Sequence, residues 1–349
     1  MGPTLLFISL SIFLRLLSVS CHRRPLAPAL YVFGDSMFDS GNNNILPTIA
    51  KADFPPYGVN FAKGVTGRFT NGKTIADFIA EFLRLPYAPP VISIPESTSL
   101  TGLNYASGSC GLLPETGNRF IDLFEITVES ALPSHFDTSC ELSEHLSESI
   151  FLLSVGSNDY INNYLDDTYD TIKRYPPKRF AKLLIDALSH RFKRLYNLGA
   201  RKTVMFEIGP VGCIPSMTRK HEHNGRCVED INQIVSFFNR RLPSLLKNLT
   251  SSLRGSTFVL GKANSLGHDA ITHPCKYGLE DSTNPCCTTW GNGTSECIPL
   301  LEPCRHPNKY FFWDAFHLTE TVCSVVATRC FNDTSLCSPN IKQLVRIKN

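Results

Sequence analysis

What most restricts the folds open to this chain is an alternation of two periodicities. Four short apolar runs, at residues 29–33, 150–155, 203–208 and 257–260, are separated by stretches whose apolar residues recur at helical spacing. Ile75, Phe78, Ile79, Phe82 and Leu83 share one helical face, and Phe180, Leu183, Leu184, Ala187, Leu188 and Leu195 repeat the pattern ahead of Gly199. Ile231, Ile234, Val235, Phe238, Leu242, Leu245 and Leu249 predict a third helix. Short apolar runs of this kind suit buried strands, and strands alternating with helices build βαβ units. The class is therefore α/β, with a parallel sheet covered on both sides. With 42% hydrophobic residues and no repeat, linker or shift of composition, one domain is the simplest organisation. Residues 275–307 are the least regular stretch, and their cysteine density predicts a stapled loop.

The N-terminal twenty residues read as a signal peptide, apolar from Leu5 to Leu17 apart from Arg15 and ending in small residues near Ser20 or Cys21. That run is short of the roughly 20 residues a bilayer span needs, and no later segment is apolar for long enough. Thirteen cysteines fit an oxidising compartment, and loss of Cys21 with the leader leaves an even twelve (13 − 1). Cys286, Cys287, Cys297 and Cys304 lack the C-x-x-C spacing of zinc ribbons, so disulfides are expected there and no metal. Asn248-Leu249-Thr250, Asn292-Gly293-Thr294 and Asn332-Asp333-Thr334 are glycosylation acceptors in a secreted chain. A net charge of +3 without a basic stripe is too small and too evenly spread to imply a nucleic-acid partner or an anionic membrane surface, and neither a nucleic-acid partner nor stable membrane insertion is expected.

In open α/β sheets the functional crevice lies beyond the carboxyl ends of the strands. The first three runs end there in Gly34-Asp35-Ser36, Gly156-Ser157-Asn158-Asp159 and Gly209-Pro210-Val211-Gly212. Serine is a weak nucleophile that needs an adjacent base, itself oriented by a third group. Ser36 is expected at the sheet rim, opening a helix, although a serine there also suits a helix cap. Far along the chain, Asp314-Ala315-Phe316-His317 places a carboxylate and an imidazole in one tight turn, where the Asp can hold its own His. Asn158 offers a side-chain amide for an oxyanion, and Gly108 permits close approach of a backbone N–H. Each part alone is common, but Gly-Asp-Ser, then Gly-x-Asn-Asp, then Asp-x-x-His, in that order along the chain, arise by chance in roughly one in a thousand such chains.

These residues resemble the plant GDSL esterase/lipase family of SGNH hydrolases over about residues 28–344. The segments that carry the resemblance begin at Phe33-Gly34-Asp35-Ser36 and continue through Asn42, Asn43 and Asn44, residues 67–73 and 103–108, Gly156 to Tyr160, 209–215 and 312–320. The resemblance implies a three-layer α/β/α sandwich of flavodoxin-like type. It implies Ser36 as nucleophile, Asp314 and His317 as its relay, and the Ser36 N–H, Gly108 N–H and Asn158 amide as oxyanion donors, without cofactor. Met37, Ser109 and Leu318 stand where the family usually has Leu, Gly and Pro. The expectation is a secreted, monomeric esterase or lipase of the cell exterior, acting on small or polymeric esters through an acyl-Ser36 intermediate. An acyltransferase with a polyol acceptor and an inactive binder of acylated polymers are the rival readings.

Overall fold

A computed structural model describes residues 24–93, 99–117 and 119–348; the expected signal peptide lies outside the described residues. The four apolar runs form strands β1 (Leu30–Gly34), β2 (Ile150–Ser154), β3 (Lys202–Phe206) and β4 (Thr257–Gly261), all parallel and hydrogen-bonded in that order. Residues 101–105 run along the free edge of β1, where the Leu30 and Val32 N–H groups donate to the Thr101 and Leu103 carbonyls and Tyr105 N–H donates to Val32. The chain thus leaves β1, returns on its outer side and only then crosses to β2. That reversal beside β1 creates the crevice in which open α/β sheets bind ligands.

Alternate residues of each strand face opposite layers. Tyr31, Phe33, Phe151, Leu153 and Met205 enter one core, together with helices α2 (Pro177–Asn197), α3 (Glu229–Asn239) and α4 (Leu242–Ser252). Leu30, Val32, Ile150, Leu152, Val204 and Phe206 enter the other, against α1 (Ile75–Leu83), α5 (Ala263–Thr272) and α6 (Glu320–Asn332). With both faces buried, every residue of β1 and β3 is buried; β1 accordingly reads as an apolar run, whereas β3 opens on Lys202, whose ammonium pairs with Glu148, and on Thr203 before its apolar Val204, Met205 and Phe206.

Two expectations are corrected. The third predicted helix is two, α3 and α4, parted at Arg240 and Arg241, with Pro243 in the first turn of α4, where its missing N–H costs nothing. Ser36 opens no helix: it sits in a turn in which the Phe38 and Asp39 N–H groups both donate to the Asp35 carbonyl.

The stapled loop is present. Cys286–Cys304 and Cys287–Cys297 close it, β5 (Asp281–Pro285) pairs with β6 (Tyr310–Phe312), and Cys213–Cys227 and Cys330–Cys337 tie two further loops. Cys275, at the start of that stretch, is a free, exposed thiol. Among the described residues no helix is long and apolar enough to cross a membrane.

Candidate active site

Ser36 and His317, which the sequence set 281 positions apart, meet with Asp314 at one end of the sheet. His317 Nε2 lies 2.7 Å from Ser36 Oγ, and His317 Nδ1 lies 2.7 and 2.9 Å from Asp314 Oδ2 and Oδ1. The Asp-x-x-His turn folds on its own carboxylate, since Asp314 Oδ1 also accepts the Phe316 and His317 N–H groups, each at 2.8 Å. With Nδ1–H donated to the carboxylate, Nε2 is left as the acceptor that faces the serine hydroxyl.

Asp314 is fully buried. Burial alone would raise its pKa, but the charge and hydrogen bond of His317, with Tyr57 and Phe316, hold it below the usual carboxylate value. For His317, burial favours the neutral ring, yet Asp314 outweighs it and holds the imidazole above its ordinary 6.5. The pair therefore favours the charges that a developing imidazolium needs.

Sequence reasoning missed the residues that hold this pair. Tyr57 is buried and donates its hydroxyl to Asp314 Oδ2 at 2.7 Å while accepting the Cys297 N–H at 3.3 Å. This contact couples the disulfide-stapled loop to the relay. Phe69 lies against the His317 ring with centroids 5.0 Å apart. Its segment is fixed by the buried Arg68–Asp77 pair, bidentate at 2.7 and 2.8 Å, and by Thr70 and Asn71, which bond Leu318 O and Glu320 N. The run Gly67-Arg68-Phe69-Thr70-Asn71 was the available signal, but nothing local indicates that it docks 250 residues downstream.

Three carboxylates shape the loops around Ser36. Asp39 accepts the N–H groups of Gly41, Asn42 and Gly108, and burial still pushes its pKa up to about 6. Asp159 receives the Leu112 and Leu113 N–H groups and the Thr116 hydroxyl. Asp35, beside the serine, is pushed up to about 7 by burial despite the Met37 N–H on its Oδ1. Asn43 clamps the 107–109 turn, giving Nδ2 to Gly108 O and taking the Ser107 hydroxyl on Oδ1.

Here the expectation for Gly108 is corrected. Its N–H is engaged by Asp39 Oδ2 at 3.1 Å, and Gly108 is not on the cavity wall. Its lack of a side chain serves packing, because a Cβ there would stand 2.4 Å from Asn43 Nδ2 and 2.8 Å from the Phe69 ring. The next residue, Ser109, lines the cavity with Ser36 and Asn158, and holds a left-handed φ of 64°. Among the described residues, neither the Ser36 nor the Ser109 N–H has an acceptor. Asn158 gives one amide hydrogen to Cys110 O at 2.9 Å and takes Asn162 Nδ2 on its Oδ1 at 3.0 Å, which leaves its second hydrogen available.

Among the described residues, the one cluster with metal-ligand spacing is Cys227, Glu229 and His268, and Cys227 is consumed in a disulfide. The acceptors Asn248, Asn292 and Asn332 are all exposed.

Comparison with known proteins gives the family. The GDSL-like lipase/acylhydrolase family matches residues 30–329. GDSL esterase/lipase 7 of Arabidopsis thaliana is 45% identical over 89% of this chain and 90% of its own. A second Arabidopsis thaliana protein, GDSL esterase/lipase At1g71691, is 37% identical over 92% of this chain and 86% of its own. A crystal structure of phospholipase A1 from Streptomyces albidoflavus NA297 aligns over 86% of this chain and 96% of that one, with 13% identity and a TM-score of 0.35, a likeness too loose to add to the family match.

Proposed function

Since the chain belongs to the GDSL-like lipase/acylhydrolase family and is a carboxylic ester hydrolase of that family, we propose that it works as a secreted esterase through an acyl-Ser36 intermediate. The observation that carries this reading is the unbroken contact from Ser36 Oγ through His317 to the buried Asp314. His317 Nε2 takes the hydroxyl proton as Ser36 Oγ attacks the ester carbon, and the C=O electron pair moves onto oxygen. The collapse of that oxyanion expels the alcohol, which leaves with the proton from His317. Water, deprotonated by the same nitrogen, then releases the acid and restores Ser36. Asp314 stays ionised throughout and fixes the imidazole.

For the oxyanion, the donors are the Ser36 N–H, the Asn158 amide and the N–H of Ser109 in place of Gly108. Gly108 and Asp39 hold the turn that presents Ser109. Four disulfides and three exposed glycosylation acceptors support an extracellular setting.

Ser36→Ala tests the mechanism. It is expected to lower ester turnover by roughly 10⁴-fold or more and to abolish labelling by a fluorophosphonate. Wild-type turnover in the folded mutant refutes it. Recovery of the chain from the culture medium, lighter after glycosidase treatment, tests the setting.

A further inference from the structure

The net charge of +3 hides two opposed parts, so the even spread expected of the basic residues does not hold. Residues 173–254 carry 17 Lys and Arg against 5 Asp and Glu, a balance of +12, while the other residues carry 17 against 26, a balance of −9. The basic part supplies α2, α3 and α4, the helices that cover one face of the sheet. On α2, Lys178, Arg179, Lys182 and Lys193 are exposed on one side of the helix, opposite the buried Phe180, Leu184, Leu188 and Leu195. Arg240 and Arg241, where α3 meets α4, stand beside its first turn. Lys178 Nζ lies 5.5 Å and Arg240 Cζ 5.3 Å from the centroid of a single ring, Phe237, whose carbonyl takes Arg241 Nη1 at 2.8 Å. Arg179 Cζ lies 5.6 Å from the Tyr175 ring.

Among the described residues, only Lys182 of these six cations forms an ion pair, with Asp186. The acids of α3, Glu229 and Asp230, sit in its first turn, about 15 Å along the helix from Arg240. Helix stability does not explain the arrangement, because the macrodipole favours acids in a first turn and α2 has two cations and no acid there. Like charges gathered on a fixed face without partners create a field that draws a polyanion. The shape of the face decides which one. From Lys178 to Lys193 it runs about 22 Å along α2, away from the crevice end of the sheet where β2 finishes. A lipid surface laid against the crevice would meet only its first turn. Single-stranded nucleic acids stack their bases on aromatic rings, and here Phe237 and Tyr175 are covered by the protein's own cations. A flexible chain with a carboxylate on each unit needs only a row of cations. We propose that the outer face of α2, with the joint of α3 and α4, binds a linear acidic polysaccharide and holds the enzyme on it with the crevice open. The reading of Ser36 as nucleophile plays no part in this.

The test is retention of the whole protein on immobilised polygalacturonate, with dextran as the uncharged control and phosphatidylserine vesicles and duplex DNA as competing polyanions. Retention is expected at about 0.05 M salt and falls steeply as salt rises. The combined substitution Lys178→Gln, Arg179→Gln and Lys182→Gln is expected to weaken binding by roughly 10²-fold, at about fivefold for each cation. The combination Lys63→Gln, Lys342→Gln and Arg346→Gln removes the same charge from exposed positions outside residues 173–254 and is expected to change binding by no more than about twofold. Thermal unfolding of both variants checks that they are folded. Retention no greater than on dextran overturns the proposal, as do equal losses in the two variants, or tighter binding to the vesicles or to DNA than to polygalacturonate.

Discussion

Replacing Asn158 by alanine separates the catalytic from the structural work of one side chain. The amide gives one hydrogen to Cys110 O and receives Asn162 on its oxygen, and both bonds hold it at the cavity wall with the second hydrogen available. Losing two neutral hydrogen bonds, at about 0.5–1.5 kcal/mol each, lowers stability by about 1–3 kcal/mol. Losing an oxyanion donor costs about 2.7–4 kcal/mol in the transition state, a fall of roughly 10²–10³-fold in kcat with little change in KM. Asn158→Asp keeps the size and the acceptor for Asn162 but removes the donor, so its kcat falls at least as far. The assay is saturation kinetics on a nitrophenyl ester, with kcat expressed per site labelled by fluorophosphonate so that unfolded molecules do not count. Denaturant unfolding on the same preparation gives the stability. A lowered stability with near-wild-type kcat per labelled site refutes the oxyanion role and leaves Asn158 as part of the scaffold.

The pH dependence follows from the relay: His317 must be neutral to take the serine proton, and Asp314 raises its pKa, so kcat/KM is lost as pH falls through a midpoint above 6.5, read from a pH–rate profile. Tyr57→Phe removes a donor from Asp314 and leaves more negative charge facing the imidazole, so this acid limb moves to higher pH; a shift to lower pH contradicts the contact. Arg68→Leu strands the buried Asp77 carboxylate and lowers unfolding free energy by about 3–5 kcal/mol in denaturant titration. Alkylation of the native protein without reductant is expected to modify Cys140 and Cys275, which are exposed, whereas Cys110 and Cys323 react only on unfolding; intact mass reads the count, and label on the eight paired cysteines refutes the pairing.

The α/β class and the four strands were legible because a strand buried on both faces is apolar at most positions and a flanking helix apolar on one face. Both demands are written in consecutive residues, as 150–154 and 75–83 show. The break at Arg240 was less visible, since the apolar spacing of α3 carries on into α4 and only Pro243 marks the change. Ser36, Asp314 and His317 were legible because their immediate neighbours reveal them: a strand end for the serine, and a three-residue spacing that lets Asp314 bind its own His317. Tyr57 and Phe69 carry no such sign. Their partners stand about 250 positions away, and only the packing of the disulfide loop and of the 67–73 segment brings them to the relay. The choice between Gly108 and Ser109 was likewise tertiary. Both N–H groups lie in one turn, and which of them faces the cavity is decided by a carboxylate, Asp39, about 70 residues upstream that takes the other. Short-range periodicity encodes which elements form, whereas which donor stays free depends on partners that only the folded chain brings within hydrogen-bond reach.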